Sequence, residues 1–296
     1  MQVFILGGYI AVASAVLNFM AGHFISESEI GRFTGAGVNA VEFAMVLSIS
    51  LPIAWQLAST QKKGVGSNLL RVINFAFIPA ALFTIILTGS RTGLFGIIPG
   101  LLYIMFTMGR VKFIYRFLVL VVFVFALFIG QALVPQVTLH RLGTVGTSIA
   151  SEDLGGRVAL WQQSAKVFLE HPLLGIGSGS LAAPSLLGTF AHNTFLSILT
   201  ELGILGFIQF IAVLLIVIYQ AYKQPRPYSI FCLIVFVTWV ISINSLTWEY
   251  SKITWFILNM VIITAGVYGR EDKTANSSLF DQVADPENPQ TATANI

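Results

Sequence analysis

Charge is scarce in this chain. Asp, Glu, Lys and Arg make up 10% of its 296 residues, where a soluble domain carries about a quarter. Beside an apolar share of 56%, that scarcity excludes an ordinary soluble globule and points to an integral membrane protein. The formal net charge of +3 is too small to argue for nucleic acid as a partner. Cysteine is nearly missing. Cys232 stands alone in an apolar run, which excludes a disulfide framework and a cysteine metal site. Familiar catalytic signatures are also absent: no D-x-D, no H-E-x-x-H, no P-loop and no G-x-S-x-G. The carboxylates Glu27, Glu29, Glu42, Glu152, Asp153, Glu170, Glu201 and Glu249 are scattered, with no spacing that would build a divalent metal site. Neither a metal nor a cofactor is therefore expected. The first apolar run lacks a basic lead-in and an A-x-A cleavage pattern, so it reads as a membrane helix and not a signal peptide.

What is present is a series of long apolar runs. A spanning helix needs about 20 mainly apolar residues, and about eight segments meet or approach that length. They are Val3–Met20, Val38–Ala58, Val72–Thr88, Gly93–Met108, Phe117–Leu133, Phe195–Tyr219, Tyr228–Leu246 and Ile253–Tyr268. The expected fold is all-α, a polytopic transmembrane bundle. Four parts are expected: membrane helices over 1–133, a loop domain over 134–194, further membrane helices over 195–269 and a disordered tail over 270–296. Basic residues orient the bundle. With a cytoplasmic amino terminus, the short loops QKKGVGSNLLR and GRVKFIYR fall inside with Lys62, Lys63, Arg71, Arg110, Lys112 and Arg116. The carboxyl terminus is then cytoplasmic as well. Arg32, Arg91, Arg141, Arg157, Lys166 and Lys252 fall outside, as do His23, His140, His171 and His192.

The large outer loop has internal order. Leu142–Gly156 is glycine- and serine-rich and reads as mobile, a stretch that could close over a ligand. Val158, Trp161, Ala165 and Phe168 then recur at spacings of three, four and three, the pattern of an amphipathic helix lying on the membrane or the bundle. His171-Pro172 ends it, and LLGIGSGS reads as a tight glycine-rich turn.

Four residues carry candidate chemistry. Arg91 lies in LTGSRTG between two membrane helices. It is either a snorkelling interfacial arginine or a phosphate ligand. Arg157 opens the loop helix, where free backbone N–H groups already favour anions. Arg32 lies in IGRFTGAGVNAVEF. For both, an ordinary surface charge is the plainer reading of the residue taken alone. His192 lies where the loop re-enters the membrane and could act as a general base near neutral pH. Glu201 sits about half a turn round the helix from it and at another depth, so it is not an obvious orienting partner. Glu42 and Glu249 could each pair with an arginine.

The stretches RFTGAGVNAVEFA, LTGSRTGLFG, GGRVALWQQSAKVFLEHPLLGIGSGS and AHNTFLSILTELGILG, in that order, resemble the O-antigen ligase and Wzy-type polymerase superfamily of bacterial polysaccharide assembly. The resemblance implies a GT-C-like bundle in the bacterial inner membrane with its large loop periplasmic. It implies a glycosyltransferase that works without metal and inverts the anomeric centre. The donor would be a glycan on undecaprenyl pyrophosphate, and the acceptor a glycan or lipid A-core, among membrane lipids. It casts Arg91 and Arg157, with Arg32 less securely, as pyrophosphate ligands and His192 as the acceptor's base. Ligase is the leading reading and repeat-unit polymerase the alternative. The family usually carries more membrane helices than these eight, with the difference at the amino-terminal end. A truncated inactive member and a non-enzymatic polysaccharide or lipid transporter are the readings of another class.

Overall fold

The computed structural model describes residues 1–23, 31–35, 37–60, 65–111, 135–143 and 157–267, with single positions between 113 and 121. Among them every regular element is helical. The helices are α1 (Gln2–Met20), α2 (Ala40–Thr60), α3 (Val65–Leu87), α4 (Arg91–Thr107), α5 (Gln136–Gly143), α6 (Arg157–Glu170), α7 (Thr194–Tyr222), α8 (Arg226–Ile243) and α9 (Lys252–Val267). Five of them, α1, α2, α3, α7 and α8, are long and apolar enough to cross a membrane; α4 and α9 are shorter apolar helices. The chain is a multi-pass helical membrane protein. The expected helix Phe117–Leu133 lies for the most part outside the described residues, as do the glycine- and serine-rich stretch Leu142–Gly156 except its first two positions and the whole of 270–296.

The centre is α2. It packs against α1, α3, α4 and α8, and its side chains from Ala44 to Trp55 are almost all buried. Two apolar helices in lipid gain little from the hydrophobic effect, so close packing must hold them together. The sequence supplies this through Gly93, Gly96 and Gly100 on α4. A Cβ at Gly93 would lie 2.7 Å from Ala44 Cβ, one at Gly96 2.7 Å from Met45 Sδ, and one at Gly100 3.1 Å from Pro52 Cδ. The three contacts rise in step along both chains, so α2 and α4 run parallel with backbones nearly touching. Buried polar pairs add to the seam: Trp55 Nε1 donates to Thr107 Oγ1 at 2.7 Å, and Tyr103 donates its hydroxyl to Gln56 Oε1 at 2.5 Å. Across the bundle, Trp239 of α8 donates to Thr254 of α9 at 3.0 Å.

Helix ends shift by one to three residues elsewhere, but two larger differences separate the structure from the sequence reading. Helix α3 starts at Val65, not Val72, because the polar turn GSNLLR continues the helix and Arg71 Nε bonds back to Ala58 O at 3.2 Å. The run read as one helix over Phe195–Tyr219 is broken. Gly203 has φ 64° and ψ −169°, and α7 bends there. This conformation is open to glycine almost alone.

The bend is an interlock with the loop that follows α6. Ile204 N donates to Pro172 O at 2.9 Å and Leu205 N to Leu173 O at 3.4 Å. In return, Ile176 N donates to Thr200 O at 3.2 Å and Gly177 N to Glu201 O at 2.9 Å. Backbone groups freed by the bend are thus satisfied by HPLLGIG, as a membrane helix break requires. No side chain fits between the two strands of chain. A Cβ on Gly175 would lie 2.4 Å from Glu201 O, and one on Gly203 2.3 Å from Leu173 O.

Candidate functional site

The candidate residues gather at one end of the bundle, where α4, α6 and α7 all begin. The turn Thr88–Ser90 sets the first part. Ser90 caps α4, its hydroxyl accepting from Gly93 N at 3.1 Å, which places Arg91 in the first helical position. Arg32 reaches the same turn from the other side: its Nε donates to Thr88 O at 3.1 Å, and the neighbouring Phe33 N donates to Leu87 O at 3.0 Å. Gly89 takes φ 58° under the Arg32 stem. Arg32 and Arg91 therefore flank one turn, which single-sequence spacing could not reveal across the intervening helices.

The loop helix α6 sets the second part. It lies on α7, with Ser164 buried at the contact and Thr200 Oγ1 donating to Ser164 O at 3.3 Å. Trp161 Nε1 donates to Ala191 O at 3.0 Å. Arg157 is one turn before Trp161 on the same face, so this bond draws the arginine toward the residue preceding His192. The electrostatics follow from this proximity. Arg157 is half-buried, and its pKa is held down first by burial and then by the positive charge of Arg32. His192 lies below its ordinary value of 6.5, first because burial disfavours the imidazolium and second because Arg157 repels it. Arg32 thus lies near Arg157 and Arg157 near His192, and Arg91 shares the Thr88–Ser90 turn with Arg32.

His192 is itself unusual. Its φ of 51° is the one positive value at a non-glycine position among the described residues. Its backbone N donates to Thr247 Oγ1 at 3.1 Å, and the next residue, Asn193, caps α7 by accepting from Leu196 N at 3.0 Å. Thr194 Oγ1 donates to Leu246 O at 2.8 Å and accepts from Trp248 N at 2.8 Å. The histidine is held to the loop that joins α8 to α9 at its own backbone N and two residues on, at Thr194.

The carboxylates take other roles. Glu201 is 3% exposed and fully engaged. Its Oε2 accepts from Gly179 N at 2.7 Å and from the Tyr250 hydroxyl, and its Oε1 accepts from Leu181 N at 3.1 Å. It is the clasp of the glycine turn, where Gly175, Gly177 and Gly179 all have positive φ. Glu249 meets no arginine among the described residues, against the pairing considered from sequence. It accepts from Ser197 Oγ at 2.5 Å, while its Oε2 is buried without a hydrogen-bond partner among the described residues. Burial, foremost, raises its pKa. Tyr250 and Ser197 carried no signal in the sequence; their meaning depends on contacts 49 and 52 residues away. Among the described residues, no three His, Cys, Asp or Glu side chains converge as metal ligands.

Comparison with known proteins now bears on this arrangement. The family model described as O-antigen ligase matches residues 75–211. The matched stretch runs from within α3 to within α7. It includes Arg91, Arg157, His192 and both interlocking glycines, and leaves out Arg32. No curated protein matches the chain.

Proposed function

We propose, from the premise that residues 75–211 carry the pattern of the O-antigen ligase and polymerase superfamily, that this chain is a membrane glycosyltransferase of the ligase type. It moves a glycan from undecaprenyl pyrophosphate to an acceptor hydroxyl at the outer face of the bacterial inner membrane. The observation that carries the reading is the placement of Arg32 and Arg91 about the Thr88–Ser90 turn and of Arg157 on the helix whose Trp161 bonds to the residue before His192.

The chemistry follows from those groups. The acceptor oxygen attacks the anomeric carbon from the face opposite the leaving group, which inverts the centre. The bond from that carbon to the pyrophosphate oxygen breaks, and the electron pair leaves with the pyrophosphate. Negative charge grows on the leaving group, and guanidinium groups fixed in advance stabilise it best there. Arg91 and Arg157 supply the main contacts, and Arg32 adds to the field. Two helix N-termini, those of α4 and α6, reinforce the attraction for an anion. The hydroxyl proton goes to His192. Its depressed pKa suits this role, since the ring stays neutral and able to accept near pH 7. The opposite end of the bundle, with its short basic loops, is the cytoplasmic one under this reading.

The test uses the reconstituted full chain with an undecaprenyl-pyrophosphate glycan and an acceptor, measuring undecaprenyl pyrophosphate release. Wild type releases it and His192→Ala does not, at equal expression. Equal release from both removes His192 from the mechanism. No release from either returns weight to a transporter or an inactive member. One product of fixed size marks a ligase; a ladder marks a polymerase.

A further inference from the structure

One peptide unit is gripped at both edges. Trp161 Nε1 donates to Ala191 O at 3.0 Å, and His192 N donates to Thr247 Oγ1 at 3.1 Å. Ala191 O and His192 N belong to the same peptide bond. That bond is trans, so its C=O and N–H point in opposite directions within one plane. The two partners come from different elements. Trp161 lies on α6, one turn after Arg157, and Thr247 lies on the loop between α8 and α9. A plane held at both edges does not rotate. The torsions that flank it, ψ of Ala191 and φ of His192, are then fixed, and with them the direction in which the His192 side chain leaves the backbone.

Neither partner is loose. Thr194 is fully buried, and its hydroxyl donates to Leu246 O and accepts from Trp248 N, each at 2.8 Å. It therefore pins the residues on both sides of Thr247. Trp248 O accepts in turn from Thr254 Oγ1 at 2.7 Å, which ties the loop to the first turn of α9. On the other side, Thr200 of α7 donates to Ser164 O and holds α6 close behind Trp161. A left-handed residue that carries a side chain is strained, and it persists where its surroundings over-determine it. A turn needed only by the chain would carry glycine there at lower cost. The grip on this peptide therefore serves the ring.

We propose that Trp161 and Thr247 are positioning residues for His192: they clamp the Ala191–His192 peptide between the Arg157 helix and the α8–α9 loop, and so set the aim of the imidazole. The clamp stands on geometry; its effect on turnover rests on the glycosyl-transfer reading. Under that reading, Trp161 also fixes the acceptor's base relative to the arginine that holds the leaving group, because it joins the helix of one to the backbone of the other.

The experiment uses the full chain in nanodiscs. Thr247→Val and Trp161→Phe each remove one hydrogen-bonding group, and Thr247→Ser keeps the hydroxyl. The first readout is hydrogen exchange at the His192 amide, which reports local opening. That amide is protected in wild type and opens in Thr247→Val. It opens in Trp161→Phe as well, although Trp161 bonds the carbonyl and not that N–H; the shared plane carries the effect across. The second readout is undecaprenyl pyrophosphate release. In both variants kcat falls about ten- to a hundredfold, the cost of lost alignment, while KM for the donor stays, and Thr247→Ser recovers most of the rate. An amide open in wild type, or unmoved in a folded Trp161→Phe, overturns the clamp whether or not the chain transfers anything. Wild-type kcat in Thr247→Val, beside an inactive His192→Ala, overturns the positioning role and keeps the transferase. No release from any form, with exchange as expected, keeps the clamp and refutes the transferase reading.

Discussion

Replacing Gly203 by alanine tests whether the bend in α7 and the HPLLGIG loop form one structural unit. The added Cβ would stand 2.3 Å from Leu173 O and 2.4 Å from Leu173 C, far inside the ordinary carbon contact distance of about 3.5 Å. Both are backbone atoms, so no rotamer change relieves the clash. The residue also keeps φ 64° and ψ −169°, a region that costs an L-residue about 1–3 kcal/mol. To escape, the loop must retreat from the helix and give up the bonds from Ile204 N to Pro172 O, Gly177 N to Glu201 O and Ile176 N to Thr200 O. Each is worth about 1 kcal/mol net. The sum is about 4–6 kcal/mol of local destabilisation, enough to free the loop in a marginally stable protein. Limited proteolysis in detergent, with the cleavage sites mapped, reads this directly: Gly203→Ala becomes sensitive between His171 and Leu181, and its Tm falls. Gly266→Ala, where a Cβ meets nothing within 4 Å, serves as the control. A Gly203→Ala protein with wild-type Tm and an uncut loop would refute the interlock.

Three other outcomes are expected. The acid limb of kcat/KM for pyrophosphate release lies below pH 6.5, because His192 stays neutral to lower pH than an ordinary imidazole, and Arg157→Gln moves it upward by removing one of the two causes; a limb above 6.5 contradicts the site. Glu249 holds its proton in the folded state above its ordinary 4.5, so the folded protein binds more protons than the unfolded chain, and stability from this group falls as pH rises from 4.5. Tm of wild type then drops from pH 4.5 toward neutral more steeply than Tm of Glu249→Gln; parallel curves sink the argument. Gly93→Ala sets a methyl 2.7 Å from Ala44 Cβ, an overpacking cost of about 1–3 kcal/mol, and displaces Arg91 from its turn. Both Tm and pyrophosphate release fall, and unchanged release at a lowered Tm would show that Arg91 does not need its present position.

The long apolar segments were legible because hydropathy and length determine membrane helices with little help from tertiary context. The end of α6 at Glu170, just before His171-Pro172, followed from proline sterics. The bend in α7 did not follow from anything local. ELGILG inside a hydrophobic run reads as continuous helix, since glycine is common in such helices, and only the distant LLGIG explains why Gly203 leaves it. The grouping of Arg32, Arg157 and His192 was legible as a set of residue types and through the family resemblance, not as a geometry. Arg32 sits 125 positions before Arg157 in the sequence, and no spacing rule spans that separation. Glu201 was legible only as a charge; its role as clasp of the glycine turn needs the amides of Gly179 and Leu181.

The left-handed backbone of His192 has a consequence for the energy of the whole chain. A side chain at φ 51° carries a penalty of about 1–2 kcal/mol that glycine would escape. His192→Gly should therefore fold as well as wild type or better, and show a Tm at or above it, while having no imidazole at all. The space vacated is the shape of the missing ring, so free imidazole in solution becomes a replacement part that can be added and washed out. The protein keeps a residue its own backbone would rather exchange, a sign that stability has yielded to something else at this one position.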